Sequence, residues 1–411
     1  MDVSRPKRIY DPIHGFIELE AGEVELLSAP VVQRMRRLRQ LGLAYLAFPS
    51  AEHSRFSHAL GALAMGTRAF DALHAHDHGA LGSERERTER RRLLRASLLL
   101  HDLGHGPFSH ACEAVLGVRH ELRTQAILAL PELRERLAAI DVDPGAVLAL
   151  VLGVPEADPI LRELVSGPNL DADRMDYLLR DAYFTGVAGG TYDHEQLLAS
   201  LRVLEMGGRP QLGVDGRGVV ALESFVLARY MMFATVYFHH TTRAFERVLR
   251  DVLQVLWPEP RALDDIHEFL AWDDFRVIDA IRTLDGENVR ALRERRTVYG
   301  LAAEFNAERD LHTFELCERA LRERWGDAVW ADSQEQLLHR LPLGTAGGTP
   351  TVRVRLMGRI VDARSASDLI AKMSGKAYWR KLFVRTDVVS VAEARAICAE
   401  LTATGGQPQL F

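Results

Sequence analysis

An adjacent histidine and aspartate, His101 and Asp102, follow an apolar run and precede a turn through Gly104 and Gly106. The apolar letters before the pair predict the end of a buried helix. Imidazole nitrogen and carboxylate oxygen together suit borderline divalent metal ions. The pair can contact one ion only if both side chains turn inward at the helix end. Two further ligands must then come from other parts of the sequence.

His58 and Asp173 are the best candidates for those further ligands. His58 lies in SRFSHALGALAMG, a predicted helix whose other inward positions are apolar. Asp173 shares one helical stripe with Tyr177, Arg180 and Asp181, and a purely structural helix rarely places such a set on one face. A lone histidine on an apolar face is more often a hydrogen-bonded core residue. The four residues together predict a metal site.

The order of these residues, a histidine, a His-Asp pair and a distant aspartate, resembles the HD superfamily of metal-dependent phosphohydrolases. Five longer motifs are more closely similar to the deoxynucleoside triphosphate (dNTP) triphosphohydrolases. They are DPIHGFIEL at 11–19, RLRQLG at 37–42, FPSAEHSRFSHALG at 48–61, HDLGHGPFSH at 101–110 and DADRMDYLLRD at 171–181. The resemblance covers roughly residues 8–250 and implies a mainly helical HD domain.

The resemblance implies one divalent metal ion, held by His58, His101, Asp102 and Asp173. This is the same set that the side-chain chemistry suggests, and the set leaves Mn, Fe, Mg and Zn open. Such an ion polarises a phosphoryl oxygen and lowers the pKa of a bound water. The implied reaction is hydrolysis at the α-phosphorus of a dNTP, with deoxynucleoside and tripolyphosphate as products.

The resemblance also implies a catalytic group rich in histidine. Histidine titrates near neutrality and suits proton transfer to the 5′-oxygen or binding of the triphosphate. The acid/base and water-positioning residues are His105, His120 and Glu121. His110 lies near the α-phosphate, and Arg55 contacts phosphate.

A third implied group binds the substrate. Its members are Gln40, Leu41, Arg174, Tyr177, Asp181, Arg229 and Tyr237. The ring of Tyr177 packs against C2′ of the deoxyribose, which leaves no room for the 2′-hydroxyl of a ribonucleotide. Helical spacing places His240 on the same helix face as Arg229 and Tyr237. Alignment with the family favours His239 instead, so either histidine could belong to this group.

The same resemblance implies the partners: a dNTP substrate, a homo-oligomer (dimer or tetramer) and a nucleotide activator. In the mammalian relative, a guanine nucleotide binds an Asp, a Gln and an Arg just before the QLG motif. This chain has Gln33 and Arg36 but Ser28 in place of the Asp. A serine hydroxyl cannot accept the paired N–H donors of guanine. This argues against guanine-specific activation and leaves nucleotide regulation to the region of Lys7 and Arg8.

Helical periodicity predicts the elements that would position these residues. It extends over 31–43, 56–73, 93–101, 122–137, 171–184 and 222–257. The segment RPQLGVDGRGVVALE predicts a short β-hairpin that turns at Asp215 and Gly216. Two prolines after Trp257 predict a domain boundary. The predicted fold class is therefore mainly α: a catalytic HD helical bundle with a hairpin over 1–257, then a smaller regulatory or oligomerisation α+β domain over 258–411.

Composition sets the broad class of the protein. The chain has 411 residues, a hydrophobic fraction of 47% and a formal net charge of −6, which is typical of a soluble globular protein. Three cysteines, far apart in the sequence, argue against a disulfide framework and favour a reducing, cytoplasmic location. Residues 1–15 contain no apolar run of the kind that a signal peptide needs, and the other apolar runs are shorter than the ~20 residues of a membrane span. The mildly acidic balance does not indicate nucleic-acid binding.

Two other functions stay open. An HD phosphohydrolase could act on a different phosphoester, such as a nucleoside monophosphate or a cyclic nucleotide. Inorganic phosphate as the product, instead of tripolyphosphate, would favour that reading. The chain could also be a nucleotide-sensing or nucleic-acid-binding regulator with a vestigial site, but the complete ligand set and His105 argue against it.

Overall fold

The structure is a computed structural model that describes residues 5–77, 79–259, 263–337, 352–373 and 376–405. Over these residues the chain is mainly α-helical with three small sheets, so the predicted fold class is confirmed. Helices α1 to α10 are Ala21–Leu27, Pro30–Gln33, Arg55–His76, Glu84–Leu100, His110–Leu116, His120–Leu128, Pro131–Ala138, Pro144–Val151, Pro159–Ser166 and Ala172–Thr185. Helices α11 to α20 are His194–Ala199, Val219–Met232, His240–Leu256, Ile266–Leu270, Asp274–Arg282, Glu287–Glu294, Leu311–Trp325, Ala363–Ala366, Asp368–Lys372 and Val391–Gly405.

The strands are short and form separate sheets. Strands β1 to β9 are Lys7–Asp11, Gly15–Leu19, Leu201–Met206, Arg209–Asp215, Tyr299–Phe305, Val329–Leu337, Arg353–Leu356, Arg359–Asp362 and Lys376–Arg385. β1 and β2 form an antiparallel hairpin. The other sheets have the strand orders β3-β4-β7-β8 and β5-β9-β6.

Helix α3 packs against both α4 and α10 in the middle of the fold. The hydroxyl of Ser54 accepts a hydrogen bond from the backbone N–H of Ser57 and caps α3. The carboxylate of Asp171 accepts one from the backbone N–H of Arg174 and caps α10. These caps determine where the two helices begin, and the predicted ligands lie in their first turns.

The β-hairpin turns at a different place from the predicted one. β3 and β4 are joined through Gly207 and Gly208, whereas the sequence analysis places the turn at Asp215 and Gly216. Both joining glycines have positive φ, 58° and 72°, as a two-residue type I′ turn requires. Asp215 instead ends β4, and its carboxylate accepts a hydrogen bond from the backbone N–H of Arg217.

The long helix predicted over 222–257 is interrupted near its middle. α12 passes into a π-helical turn, Phe233–Tyr237, and α13 begins at His240. The imidazole of His239 accepts a hydrogen bond from the backbone N–H of Thr241 at the start of α13. No glycine or proline lies at the break, and the apolar periodicity continues through it. The sequence therefore gives no sign that the helix is interrupted here.

Two other predicted helices are shorter than their periodicity suggests. Pro131 divides the stretch 122–137 into α6 and α7, because proline suits the first helical position but cannot continue a preceding helix. The helix predicted over 31–43 ends at Arg37 after a 3-10 turn. Beyond it, the backbone N–H groups bond to residues that are distant in sequence.

Packing crosses the domain boundary predicted after Trp257. β4 pairs in parallel with β7, so one sheet joins strands from both sides of the boundary. Leu263, Phe269 and Val277 belong to the same hydrophobic core as α3 and α10. A separate core lies between the sheet β5-β9-β6 and helices α17 and α20. The division at 257 stays a prediction, but residues after it complete the core around the central helices.

One helical stretch in the described part of the chain, Gly216–Tyr237, is long and apolar enough to span a membrane, with a mean hydropathy of 1.6. A core helix passes the same test of length and composition. Phe225 and Met232 of this stretch are buried in the hydrophobic core, and Arg229 is buried as well. We therefore interpret the stretch as a core helix.

Candidate metal centre and active site

Three ligand-type side chains meet where α3 and α10 begin and α4 ends. His58 and Asp173 lie in the first turns of α3 and α10, and His101 directly follows α4. Nε2 of His58 lies 3.3 Å from Nε2 of His101 and 2.9 Å from Oδ1 of Asp173. Nε2 of His101 lies 3.7 Å from the same carboxylate oxygen. The three atoms are close enough to hold one metal ion.

The donor set fits a divalent cation. Nδ1 of His101 donates to the backbone carbonyl of Leu98 at 2.8 Å, and Nδ1 of His58 donates to the carboxylate of Asp176 at 2.8 Å. Because each Nδ1 carries a proton, the Nε2 of each neutral imidazole presents a lone pair to the same space. Two imidazole lone pairs and a carboxylate oxygen are stable in that arrangement only around a positive charge.

The electrostatics of the cluster also favour positive charge. Burial alone would lower the pKa of His58, but the hydrogen bonds and charges of Asp173 and Asp176 outweigh burial and raise it to about 10. Burial would raise the pKa of Asp173, but His101 and His58 hold it below its ordinary value. A metal cation could take the place of the proton that this site attracts.

Asp102, the fourth predicted ligand, lies beside the other three. Its Oδ1 is 3.6 Å from Nε2 of His101 and 3.4 Å from Nε2 of His105. Its Oδ2 accepts a 2.5 Å hydrogen bond from Arg55, which also donates to the hydroxyl of Ser109 at 2.6 Å. Burial would raise the pKa of Asp102, but Arg55 and the two histidines hold it well below its usual range. Arg55 therefore neutralises a carboxylate of the cluster.

His105 and His120 stack on each other with ring centroids 4.0 Å apart. Glu113 of α5 lies against both: its Oε1 accepts from Nδ1 of His120 at 2.7 Å and lies 3.6 Å from Nδ1 of His105. Burial and the charge of Arg55 lower the pKa of His105 to about 3. Burial would also lower the pKa of His120, but the hydrogen bond to Glu113 outweighs it and raises that pKa. The stacked rings thus differ in proton affinity, as acid/base partners do.

Glu121 and His110 complete the predicted catalytic set. Oε2 of Glu121 lies 3.6 Å from Nδ1 of His120, and the same carboxylate pairs with Arg119. His110 begins α5, but its side chain lies outside the described residues.

A cavity of about 660 Å³ opens next to the cluster. Its lining includes most of the predicted residues, namely Gln40, Leu41, Arg55, His101, Asp102, His105, His120, Glu121, Asp173, Arg174, Tyr177, Asp181 and Tyr237. His58 is fully buried and reaches the cluster from beneath this lining. Gln334 and Glu335 of β6 also line the cavity, so a C-terminal strand contributes to its wall.

The two arginines predicted to bind phosphate on α10 and α12 are placed differently. Arg174 faces the cavity, donates to the backbone carbonyl of Gly167 at 2.6 Å and pairs with Asp171. Arg229 is buried and is not among the residues that line the cavity, and its burial lowers its pKa. A role in phosphate binding stays a prediction for both.

A second hydrogen-bonded group lies further along α10. Asp181 accepts from Nε2 of His53 at 2.7 Å through Oδ1 and from the hydroxyl of Tyr237 at 2.8 Å through Oδ2. The rings of Tyr177 and Tyr237 meet edge to face with centroids 6.1 Å apart. The structure therefore brings together three residues predicted to bind the substrate.

An acidic pair at the start of α15 holds two loops that line the cavity. Oδ2 of Asp274 accepts from the backbone N–H of Arg39 and Oδ1 from the backbone N–H of Phe108, both at 2.9 Å. The preceding Asp273 pairs with Arg37 at 2.5 Å. The loop that contains Arg39 continues into Gln40 and Leu41, and the loop that contains Phe108 follows His105.

Sequence reasoning missed Glu113, Asp176 and Asp274. Glu113 and Asp176 lie inside or near the quoted motifs, and their helical spacing from neighbouring candidates was an available signal. Asp274 has no such signal, because its two backbone partners lie 235 and 166 residues away.

Two solved structures share the fold. A hypothetical protein from Aquifex aeolicus is 30% identical, with a TM-score of 0.81 over 95% of this chain and 99% of that chain. A phosphohydrolase from Bacteroides thetaiotaomicron is 24% identical, with a TM-score of 0.73 over 93% of this chain and 100% of that chain. A family model described as the HD associated region matches residues 192–323. The chain belongs to the HD-domain phosphohydrolase superfamily.

Curated relatives of this HD-domain phosphohydrolase are longer proteins. The uncharacterized protein YwfO of Bacillus subtilis is 38% identical over 254 residues, 61% of this chain and 56% of that protein. The deoxynucleoside triphosphate triphosphohydrolase SAMHD1 of Homo sapiens is 28% identical over 283 residues, 61% of this chain and 44% of that protein. The HD-domain phosphohydrolase described here thus spans about half the length of the curated relatives it matches.

Proposed function

We propose that this HD-domain phosphohydrolase converts deoxynucleoside triphosphates to deoxynucleoside and tripolyphosphate. The observation that carries the proposal is the meeting of His58, His101 and Asp173 beside a cavity that also presents Tyr177 and Asp181. Relatives named deoxynucleoside triphosphate triphosphohydrolase support this substrate class.

His58, His101, Asp102 and Asp173 are the proposed holders of one divalent ion, with Mn, Fe, Mg and Zn as candidates. When bound, such an ion supplies Lewis-acid polarisation of a phosphoryl oxygen and lowers the pKa of water. Arg55 offsets the charge of Asp102 and lines the cavity, where it is a proposed phosphate contact. Arg174 also lines the cavity and is a second proposed phosphate contact, and we keep Arg229 and His110 as further ones.

Proton transfer is the proposed task of the stacked histidines. Cleavage at the α-phosphorus leaves a 5′-oxygen that must gain a proton. His120 is suited to donate it, because Glu113 stabilises its protonated form. His105 is neutral near pH 7 and lies between His120 and Asp102. Glu121 positions water beside this pair.

Sugar recognition is the proposed task of Tyr177, Asp181 and Tyr237, together with Gln40 and Leu41 of the same cavity lining. A carboxylate has about four acceptor positions, and His53 and Tyr237 occupy two of those on Asp181. Asp181 therefore retains capacity to accept from a 3′-hydroxyl. The ring of Tyr177 against C2′ would exclude ribonucleotides.

Product analysis tests the proposal. The full chain, loaded in turn with Mn²⁺, Fe²⁺, Mg²⁺ and Zn²⁺, is incubated with each of four dNTPs and the matching ribonucleotides. We expect tripolyphosphate and deoxynucleoside from at least one dNTP. From the ribonucleotides we expect neither tripolyphosphate nor nucleoside. Absence of tripolyphosphate from every dNTP, with or without added nucleotide activator, would refute the proposal. Release of inorganic phosphate from a monophosphate or cyclic nucleotide would identify a different phosphoester substrate.

A further inference from the structure

The turn between β1 and β2 reaches the cluster of proposed metal ligands. This turn holds the motif DPIHG at 11–15, which has no task in the chemistry proposed above. Two of its side chains, Asp11 and His14, enter a buried network of charged groups. At the centre of that network lies Asp176, which is fully buried and does not line the cavity.

All acceptor positions of the Asp176 carboxylate are in use. Its Oδ1 accepts from Nε2 of His14 at 2.6 Å and from Nη2 of Arg180 at 3.0 Å. Its Oδ2 accepts from Nδ1 of His58 at 2.8 Å and from Nε of Arg180 at 2.9 Å. A carboxylate offers about four such positions, so the group is held from every side.

Asp11 connects the turn to the same network in two ways. Its carboxylate accepts from Nη1 and Nη2 of Arg180 at 2.9 and 3.2 Å. Its Oδ1 also accepts from the backbone N–H groups of Ile13 and His14 at 2.9 and 3.1 Å. The residue that shapes the turn therefore also pairs with Arg180, the same guanidinium that Asp176 binds.

Gly61 of helix α3 leaves room for this network. A Cβ at Gly61 would lie 1.9 Å from Oδ1 of Asp176 and 2.2 Å from Nη2 of Arg180. Gly61 follows His58 by three residues, so it lies one turn further along the same face of α3. One segment of the sequence, SHALG, thus contains both the proposed ligand His58 and the glycine that leaves space for Asp176 and Arg180.

We infer that Asp176 is a positioning residue for the proposed ligand His58, and that the β1–β2 turn holds Asp176 in place through His14, Asp11 and Arg180. The inference rests on the proposed function, in which His58 binds the metal. By accepting the Nδ1 proton, Asp176 fixes the tautomer whose Nε2 lone pair faces the cluster and raises the basicity of that nitrogen. The motif DPIHG is then part of the support of the metal site.

Asp176→Asn tests the inference with little change of shape. In either orientation, the new amide group places its NH2 against one nitrogen of Arg180 and against a histidine N–H. We expect the dissociation constant of Mn²⁺, measured on the full chain by electron paramagnetic resonance, to rise about 10- to 100-fold. We also expect the visible spectrum of the Co²⁺-loaded protein to change, because the orientation of His58 changes.

Glu23→Gln is the matched control. Glu23 and Arg95 form a buried bidentate pair, at 2.5 and 2.6 Å, that has no contact with the cluster. This variant loses a buried carboxylate of the same kind and should keep the Mn²⁺ affinity and the Co²⁺ spectrum of the unchanged protein. An equal loss of Mn²⁺ affinity in the control would overturn the inference, since it would attribute the effect to stability alone.

His14→Ala tests the link to the turn and decides the matter if Asp176→Asn does not fold. It should weaken Mn²⁺ binding in the same direction by a smaller factor. Unchanged Mn²⁺ affinity in His14→Ala would overturn the part of the inference that concerns the turn. Unchanged Mn²⁺ affinity in Asp176→Asn would overturn the whole inference while leaving the proposed function intact. An unchanged protein that binds no Mn²⁺ or Co²⁺ overturns the proposed metal centre and the inference together.

Discussion

The imidazole of His58 makes contacts through both of its nitrogens, and the contacts differ in kind. Nδ1 has an ordinary hydrogen-bond acceptor in Asp176, as a buried core histidine requires. Nε2 instead faces Nε2 of His101 and a carboxylate oxygen of Asp173. A histidine that serves only packing does not need the nitrogen of a second imidazole at 3.3 Å. This contact favours the proposed role of His58 as a ligand over that of a core residue.

Replacement of His58 and His105 by alanine should separate metal binding from turnover. His58→Ala removes one of two imidazole ligands, and we expect loss of bound metal together with loss of turnover. His105→Ala leaves the ligands in place, so the metal should remain while turnover falls about 10²- to 10⁴-fold. Metal content by mass spectrometry and dNTP hydrolysis are measured on the same samples. Full activity in His105→Ala would remove that residue from the mechanism.

Glu113→Gln should change the pH dependence of turnover. Glu113 raises the pKa of His120, so the imidazolium persists to a higher pH than an ordinary histidine allows. Glutamine can still accept a hydrogen bond but carries no charge, so the pKa of His120 falls. If His120 donates the proton, the alkaline limb of kcat against pH moves to lower pH. Glu195→Gln is the control: Glu195 lies 3.2 Å from the half-buried His194, which has no place in the proposed chemistry, so the profile should not change.

At the scale of elements, the ends of helices position the site. α3 and α10 begin at the cluster and α4 ends there, while α15 presents Asp274 to the backbone of two cavity loops. Phe108 in one of these loops has a φ of 50°, an uncommon backbone conformation for a residue with a side chain. A hydrogen bond from its N–H to Asp274 helps to hold that conformation.

Asp274→Asn should loosen both loops at once. The amide has a single acceptor oxygen, so either the N–H of Arg39 or that of Phe108 faces a donor, at a cost of about 1–3 kcal/mol in unfolding free energy. We expect a fall of roughly 10- to 100-fold in kcat/KM, because small displacements of reacting groups have large effects on rate. Urea denaturation and steady-state kinetics measure the two quantities. Asp279→Asn, on the same helix with a side chain 81% exposed, should change neither.

At the scale of the whole molecule, the helices that carry the proposed site residues share one core with the chain after Trp257. Phe269 and Val277 pack in the main hydrophobic cluster, β7 pairs with β4, and residues of β6 line the cavity. The HD associated region matched by the family model, residues 192–323, lies on both sides of Trp257. The part of the chain beyond the boundary therefore contributes to the body that holds the site.

A fragment that ends at Trp257 should fail to form a stable site. It exposes the apolar surface that Leu263, Phe269 and Val277 cover, and it lacks Asp274. We expect the fragment to aggregate, or to show no cooperative thermal transition by circular dichroism. The full chain, measured under the same conditions, should show such a transition. A soluble fragment with a cooperative transition and bound metal would instead support the domain boundary predicted from the sequence.

Local signals in the sequence determined the residue types of the site and the helices that carry them. Capping residues and apolar periodicity act over a few positions, so α3 around His58 and α10 around Asp173 were predictable to within a few residues. The motifs 101–110 and 171–181 also predicted the superfamily, which the comparisons confirm.

Only the tertiary structure decided how those residues are supported. Asp176 accepts from His14 and His58, which are 162 and 118 residues away, and Asp274 reaches two loops that are further still. The break before His240 was hidden for a related reason, since its hydrogen bonds replace the regular helical pattern without glycine or proline. Periodicity reports which face of an element is apolar. It carries no information about which polar groups from distant segments meet on the other side.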